Sequence, residues 1–154
     1  MYSMRLNRSF VFILTFAACH LGRPAIQPGG FTVGTVVAPV SEPGIEDALR
    51  DGLSLALASL GALGGKSASP INMTVASAST APMAVGDGQQ VHTATLRIVA
   101  RVGGRETSLS GQRQYSVRGP NQADAARAEA FRVLALALTA DAVHWMRYAP
   151  VEGS

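Results

Sequence analysis

The chain has 154 residues, one cysteine, 47% hydrophobic and 15% charged residues, and a formal charge of +3. A single cysteine excludes an internal disulfide framework, and the length gives room for one domain around one core. From Cys19 onward eleven Lys and Arg stand against ten Asp and Glu, a net of +1, so a nucleic-acid partner has little electrostatic support and none is expected.

The N-terminus reads "RSFVFILTFAACH" from Arg8 to His20. Phe10 to Ala18 is a largely apolar run of only nine residues, and a membrane-spanning helix needs about 20. Arg5 and Arg8 precede the apolar run, small Ala17 and Ala18 follow it, and no acid occurs before Glu42. That is the layout of a secretory signal peptide. The segment resembles a bacterial lipoprotein signal, whose cysteine is lipid-modified and becomes the first mature residue. Ala17, Ala18 and Cys19 fit that pattern, while Phe16 stands where the pattern has an aliphatic residue. Ordinary cleavage after Ala17, with Cys19 an unused thiol, is the alternative. On the lipoprotein reading, residues 1–18 are the signal, Cys19 is the lipid anchor, and 19–30 form a tether rich in Pro and Gly. His20, in place of Asp after the cysteine, implies sorting to the outer membrane.

Within the expected domain, 31–148, "FTVGTVVAP" (Phe31 to Pro39) is β-branched and apolar and reads as a strand buried on both faces. A helix follows, with Ser41 as N-cap, Pro43 in the first turn and Glu42, Glu46 and Asp47 near its positive end. Ile45, Leu49, Leu53, Ala56 and Leu60 make its apolar stripe, and Gly61, Gly64 and Gly65 end it. Ile71 to Ser79 alternates as a second strand, and a loop with Pro82, Gly86 and Gly88 comes next. Val91 to Val102 alternates clearly, with Ala94, Leu96, Ile98 and Ala100 on one face and Thr93, Thr95, Arg97 and Arg101 on the other. Gly103-Gly104 suits a hairpin turn. The return strand, Glu106 to Val117, puts Ser108, Ser110, Gln112 and Gln114 on one face and Leu109, Tyr115 and Val117 on the other. The last element is a helix over about Gln122 to Met146, with Phe131, Leu134, Leu138, Ala142 and Trp145 in a stripe, and 149–154 form a short tail. The order β-α-β-β-β-α predicts an α+β two-layer sandwich: a four-stranded sheet with two helices on one face. Its other face is left polar. Antiparallel sheets often turn such a face to water, and it would equally suit the polar lumen of a large outer-membrane barrel.

No catalytic constellation emerges. His92 opens a strand, and Asp141 and His144 stand three apart on a helix, a spacing typical of surface contacts. "GALGG" lacks the spacing and the Lys-Ser/Thr of a phosphate loop, and "GDG" has too few carboxylates for calcium. The expectation is a protein that is not an enzyme and carries no cofactor or metal.

"SEPGIEDALRDGLSLALASLG" (Ser41 to Gly61) and "GQRQYSVRGPNQADAARAEAFRVLALALTADAV" (Gly111 to Val143) resemble the first-helix and last-strand-to-last-helix segments of the LPS-assembly lipoproteins (LptE). The resemblance covers nearly all of the mature chain through short, degenerate motifs. It implies an outer-membrane lipoprotein that plugs and helps assemble a large β-barrel translocon delivering lipopolysaccharide to the outer leaflet. The barrel would be its partner and the glycolipid a candidate ligand. Thr93, Thr95, Arg97, Ser110, Gln112 and Gln114 are then the candidate interface, and Arg101 and Arg105, near the hairpin, the candidate contacts to lipid A phosphates. The family's basic residue between the second and third strands is absent here, where "MAVGDGQQ" carries Asp87. A lipoprotein activator of a peptidoglycan synthase, or an accessory lipoprotein of another envelope transport system, is the alternative. The roughly ten-residue tether reaches no more than about 36 Å, short for an activator that must extend to the cell-wall layer.

Overall fold

The computed structural model describes residues 30–148, apart from 40, 43, 66, 87 and 88. Cys19 and the rest of the N-terminal segment therefore lie outside the described residues, as do Pro43, Asp87 and the tail. Four strands form one mixed sheet in the order β1-β2-β3-β4: β1 (Phe31–Val37), β2 (Ser69–Gly86), β3 (Gln89–Val102) and β4 (Arg105–Val117). β1 runs parallel to β2, and the other pairs are antiparallel. Helix α1 (Ile45–Ser59) connects β1 to β2, and α2 (Ala123–Tyr148) closes the chain after a short 3₁₀ turn. The architecture is the α+β sandwich expected, in the order β-α-β-β-β-α.

The core is one cluster. Leu49, Leu53 and Leu57 of α1, and Phe131, Ala135 and Val143 of α2, pack over Ile71, Met73, Leu96, Ile98 and Ala100 of the sheet. Thr139 is the one buried polar side chain among the described residues, and its hydroxyl donates to the Leu136 carbonyl at 2.8 Å. The helices approach closely at Gly52, where an added Cβ would lie 2.5 Å from Thr139 Oγ1. Such contact between helix backbones requires the missing side chain.

Several expectations are corrected. β1 is an edge strand buried on one face only: Phe31 and Val36 point inward, while Thr32, Thr35 and Val37 are exposed. Its register shifts between Val33 and Val36, where Asn72 Oδ1 accepts the Thr35 amide at 2.8 Å, and this shift turns a one-sided strand into an unbroken apolar run in sequence. Ser41 is not the N-cap. Gly44 takes that place at φ 91°, because the residue before Pro43 is disfavoured in helical conformation. Leu60, assigned to the apolar stripe, is the C-cap of α1 and is exposed. The segment through Pro82 is strand and not loop. β2 continues past Ser79 with irregularities at Val75/Ser77 and Pro82/Ala84, the second beside the proline that cannot donate to the ladder. β2 accordingly stays paired with β3 as far as Gly86 and Gln89. The Gly103 turn is as expected, with φ 57°.

Candidate functional site

The open face of the sheet is assembled by alternation along β3 and β4, whose pairing runs from Gln90–Val117 to Val102–Arg105 without interruption. Thr93 pairs with Gln114, Thr95 with Gln112 and Arg97 with Ser110. The six residues expected at the interface thus occupy three successive rungs of one face. On the β2 side the rungs continue to Ala81, Ser79 and Ser77. Arg97, Ser110, Gln112 and Gln114 are exposed, whereas Thr93 and Thr95, flanked by strands on both sides, are half-buried.

Two contacts bind this surface together. Arg97 Nε donates to Ser108 Oγ at 2.9 Å, and Gln114 Nε2 donates to Met83 Sδ at 3.2 Å. Ser77, Ser79 and Met83 belong to the surface too, but sequence reasoning missed them. Their phase depends on the Val75/Ser77 bulge, which nothing in a run of Ala, Ser and Thr announces. Hydroxyls, amides and a thioether side by side make a surface that exchanges hydrogen bonds readily and carries little charge at its Thr93 end. Arg97, Arg101 and Glu106 concentrate the charge toward the Gly103 turn.

Arg101 and Arg105 lie on opposite faces of the sheet. Arg101 lies on the open face opposite Glu106, with which it makes an exposed ion pair. Arg105 pairs with Val102 and therefore points to the helix side. Its Nη2 donates to the Met146 carbonyl at 3.0 Å, and its guanidinium sits 5.2 Å from the centre of the Trp145 ring. It ties the end of α2 to the hairpin. Arg105→Ala should cost about 1–2 kcal/mol, since it removes a cation from a helix C-terminus, a hydrogen bond and a cation–π contact. Arg101→Ala should cost at most about 0.5–1 kcal/mol, as exposed pairs do. Thermal denaturation of the two variants checks the order.

Among the described residues, an open cleft of about 380 Å³ lies between the N-terminal halves of the helices. Ile45, Ala48 and Phe131 line it, with Asp47, Asp51 and Glu129 among its acids. Glu129 receives two hydrogen bonds from Arg132, at 2.7 and 2.8 Å, which hold its carboxyl below the usual range. Among the described residues no group of three His, Cys, Asp or Glu is placed to hold a metal. His92 stacks on Tyr115 with ring centres 5.4 Å apart, and Asp141 and His144 are both exposed on α2. No described helix is long and apolar enough to cross a membrane.

The chain is similar in structure to a minor lipoprotein from Acinetobacter baumannii, with a TM-score of 0.49 and 12% sequence identity over 73% of this chain and 91% of that one. It is also similar to a chain from Caulobacter crescentus CB15 assigned as a lipoprotein, with a TM-score of 0.40 and 17% identity over 74% of this chain and 89% of that one. No protein-family model and no curated protein matches it.

Proposed function

We propose that this protein is a non-enzymatic lipoprotein of the outer membrane, anchored through Cys19, whose open sheet face seats it in the lumen of a large β-barrel that delivers lipopolysaccharide to the outer leaflet. The observation that carries the reading is the continuous, weakly charged polar surface of Thr93, Thr95, Arg97, Ser110, Gln112 and Gln114. Barrel interiors are polar and wetted, and a plug must meet them with hydrogen-bonding groups and not with an apolar patch. The sequence resemblance to LPS-assembly lipoproteins points the same way.

Glycolipid contact is a separate part of the proposal, and it falls to Arg101 and Arg97 on the open face. Arg105 serves the end of α2.

The test is recovery of the tagged protein from outer membranes in mild detergent. Wild type should bring down a large β-barrel in equal amount. Ser110→Phe combined with Gln112→Trp should reduce that recovery about tenfold or more by breaking complementarity, while the melting temperature stays unchanged because both side chains are exposed. Recovery of a peptidoglycan synthase in place of the barrel would transfer the reading to an activator.

A further inference from the structure

The starts of β1, β2 and β4 and the ends of β3, α1 and α2 gather at one pole of the molecule. Phe31 pairs with Ser69, Ile71 with Val102 and Val102 with Arg105, and Arg105 holds the end of α2. The chain enters the fold at this pole through Gly30, whose carbonyl accepts the Ser69 amide. The loop after α1 lies beside that point of entry: Ala62 accepts from the Phe31 amide at 2.8 Å, and the Gly64 amide donates back to Phe31 at 2.9 Å.

This pinned loop and the end of α1 display Leu55, Leu60 and Leu63 at 66%, 40% and 54% exposure. They are three of the five exposed large apolar side chains among the described residues. The other two, Val37 and Met83, stand toward the opposite pole, at the end of β1 and near the β2–β3 hairpin. Isolated exposed leucines are ordinary, but three within nine residues gather exposed apolar surface beside the point where the chain enters.

The carboxylates are unevenly placed along the same axis. Glu42, Glu46, Asp47, Asp51, Asp124 and Glu129 lie on the first halves of the helices or just before them, toward the far pole, where Arg50, Arg127 and Arg132 pair with four of them. From Gly52 to Gly86 the sequence holds Lys66 and no carboxylate. At the near pole stand Arg101, Arg105 and Arg147, with Glu106 paired to Arg101 and Asp141 exposed on the last third of α2, and the half-buried Trp145 sits among them.

We infer that this pole rests on the lipid leaflet that carries the anchor, with Leu55, Leu60 and Leu63 in the headgroup–acyl boundary and Arg101 and Arg147 toward the lipid phosphates. The inference rests on the Cys19 anchor and not on the barrel. Eleven residue steps separate Cys19 from Gly30, a reach of at most about 40 Å, and they attach beside Leu63. The tether thus presents the leucine pole to the bilayer at high effective concentration, so weak intrinsic affinity suffices. Exposed apolar side chains flanked by cations and a Trp are the composition that interfacial binding favours.

The test uses the mature lipidated protein in vesicles of phosphatidylethanolamine and phosphatidylglycerol. An acylated Cys19 has no free thiol, so Leu63→Cys can be labelled alone with an environment-sensitive fluorophore, and Gln112→Cys serves as the comparison. The probe at 63 should shift to the blue, and brominated acyl chains should quench it about fivefold more strongly than the probe at 112. A probe at 63 as wet and as poorly quenched as the one at 112, on a wild-type protein that takes up no label, would overturn the orientation alone. Labelling of the wild-type protein at its only cysteine would overturn the anchor, and the orientation with it.

Discussion

Gly52→Leu is expected to abolish the cooperative thermal transition. The position lies where α1 crosses α2, and even a Cβ would sit 2.5 Å from Thr139 Oγ1 and 3.1 Å from Leu136 Cδ2. Thr139 cannot simply turn away, because it is fully buried with its hydroxyl on the Leu136 carbonyl. Leucine would have to part the helices that cover the sheet, at a cost above about 4 kcal/mol against a total stability of about 5–15 kcal/mol. Gly52→Ala separates two opposing effects. Helix propensity favours alanine by about 1 kcal/mol, and overpacking costs about 1–3 kcal/mol. The net should be destabilising, and Thr139→Ala should relieve it, giving a favourable coupling of about 0.5–3 kcal/mol in a double-mutant cycle by urea denaturation. A Gly52→Ala protein more stable than wild type would mean that the helices do not approach this closely.

The second large effect concerns Cys19. Cys19→Ser should move the protein from the membrane fraction to the soluble envelope fraction. Each buried methylene of an acyl chain contributes about 0.8 kcal/mol, and loss of the acyl chains removes the strong term in membrane attachment. The leucine pole alone has no comparable apolar area. Substitution of Leu60 and Leu63 by Ser in the acylated protein should therefore leave it in the membrane fraction and change only its orientation there. Full membrane retention of the Cys19→Ser protein would favour cleavage after Ala17 and a different means of attachment.

What could be read from the sequence follows the strength of the hydrophobic contrast. β3 and β4 alternate apolar against Thr, Arg, Ser and Gln over their whole length, and a period of two with one buried face fixes which side chains share that face. That the six candidate interface residues share one face was legible for that reason, and so was the Gly103 turn. β2 was not, because Ala, Ser and Thr offer little contrast and two irregularities reset the phase. The apolar run of β1 concealed a bulge that Asn72 fills from the neighbouring strand, a contact across 37 residues that no local pattern contains.

Arg101 and Arg105 part to opposite faces for a related reason. Across the Gly103-Gly104 turn the partner of Arg101 is Glu106, and Arg105 faces Val102, so two arginines four residues apart end on opposite faces. Leu60 fitted the helical stripe by spacing, but the helix stops one residue before it. Its exposure became visible only with the C-cap in place.

The central claim is that the open sheet face meets the barrel. The most direct measurement places a photo-activatable side chain at Gln112 and irradiates intact outer membranes. The account predicts a covalent adduct with a large β-barrel from position 112, and none from position 132, on the outer side of α2. Adducts from 132 with none from 112 would contradict it, as would the absence of a barrel from both.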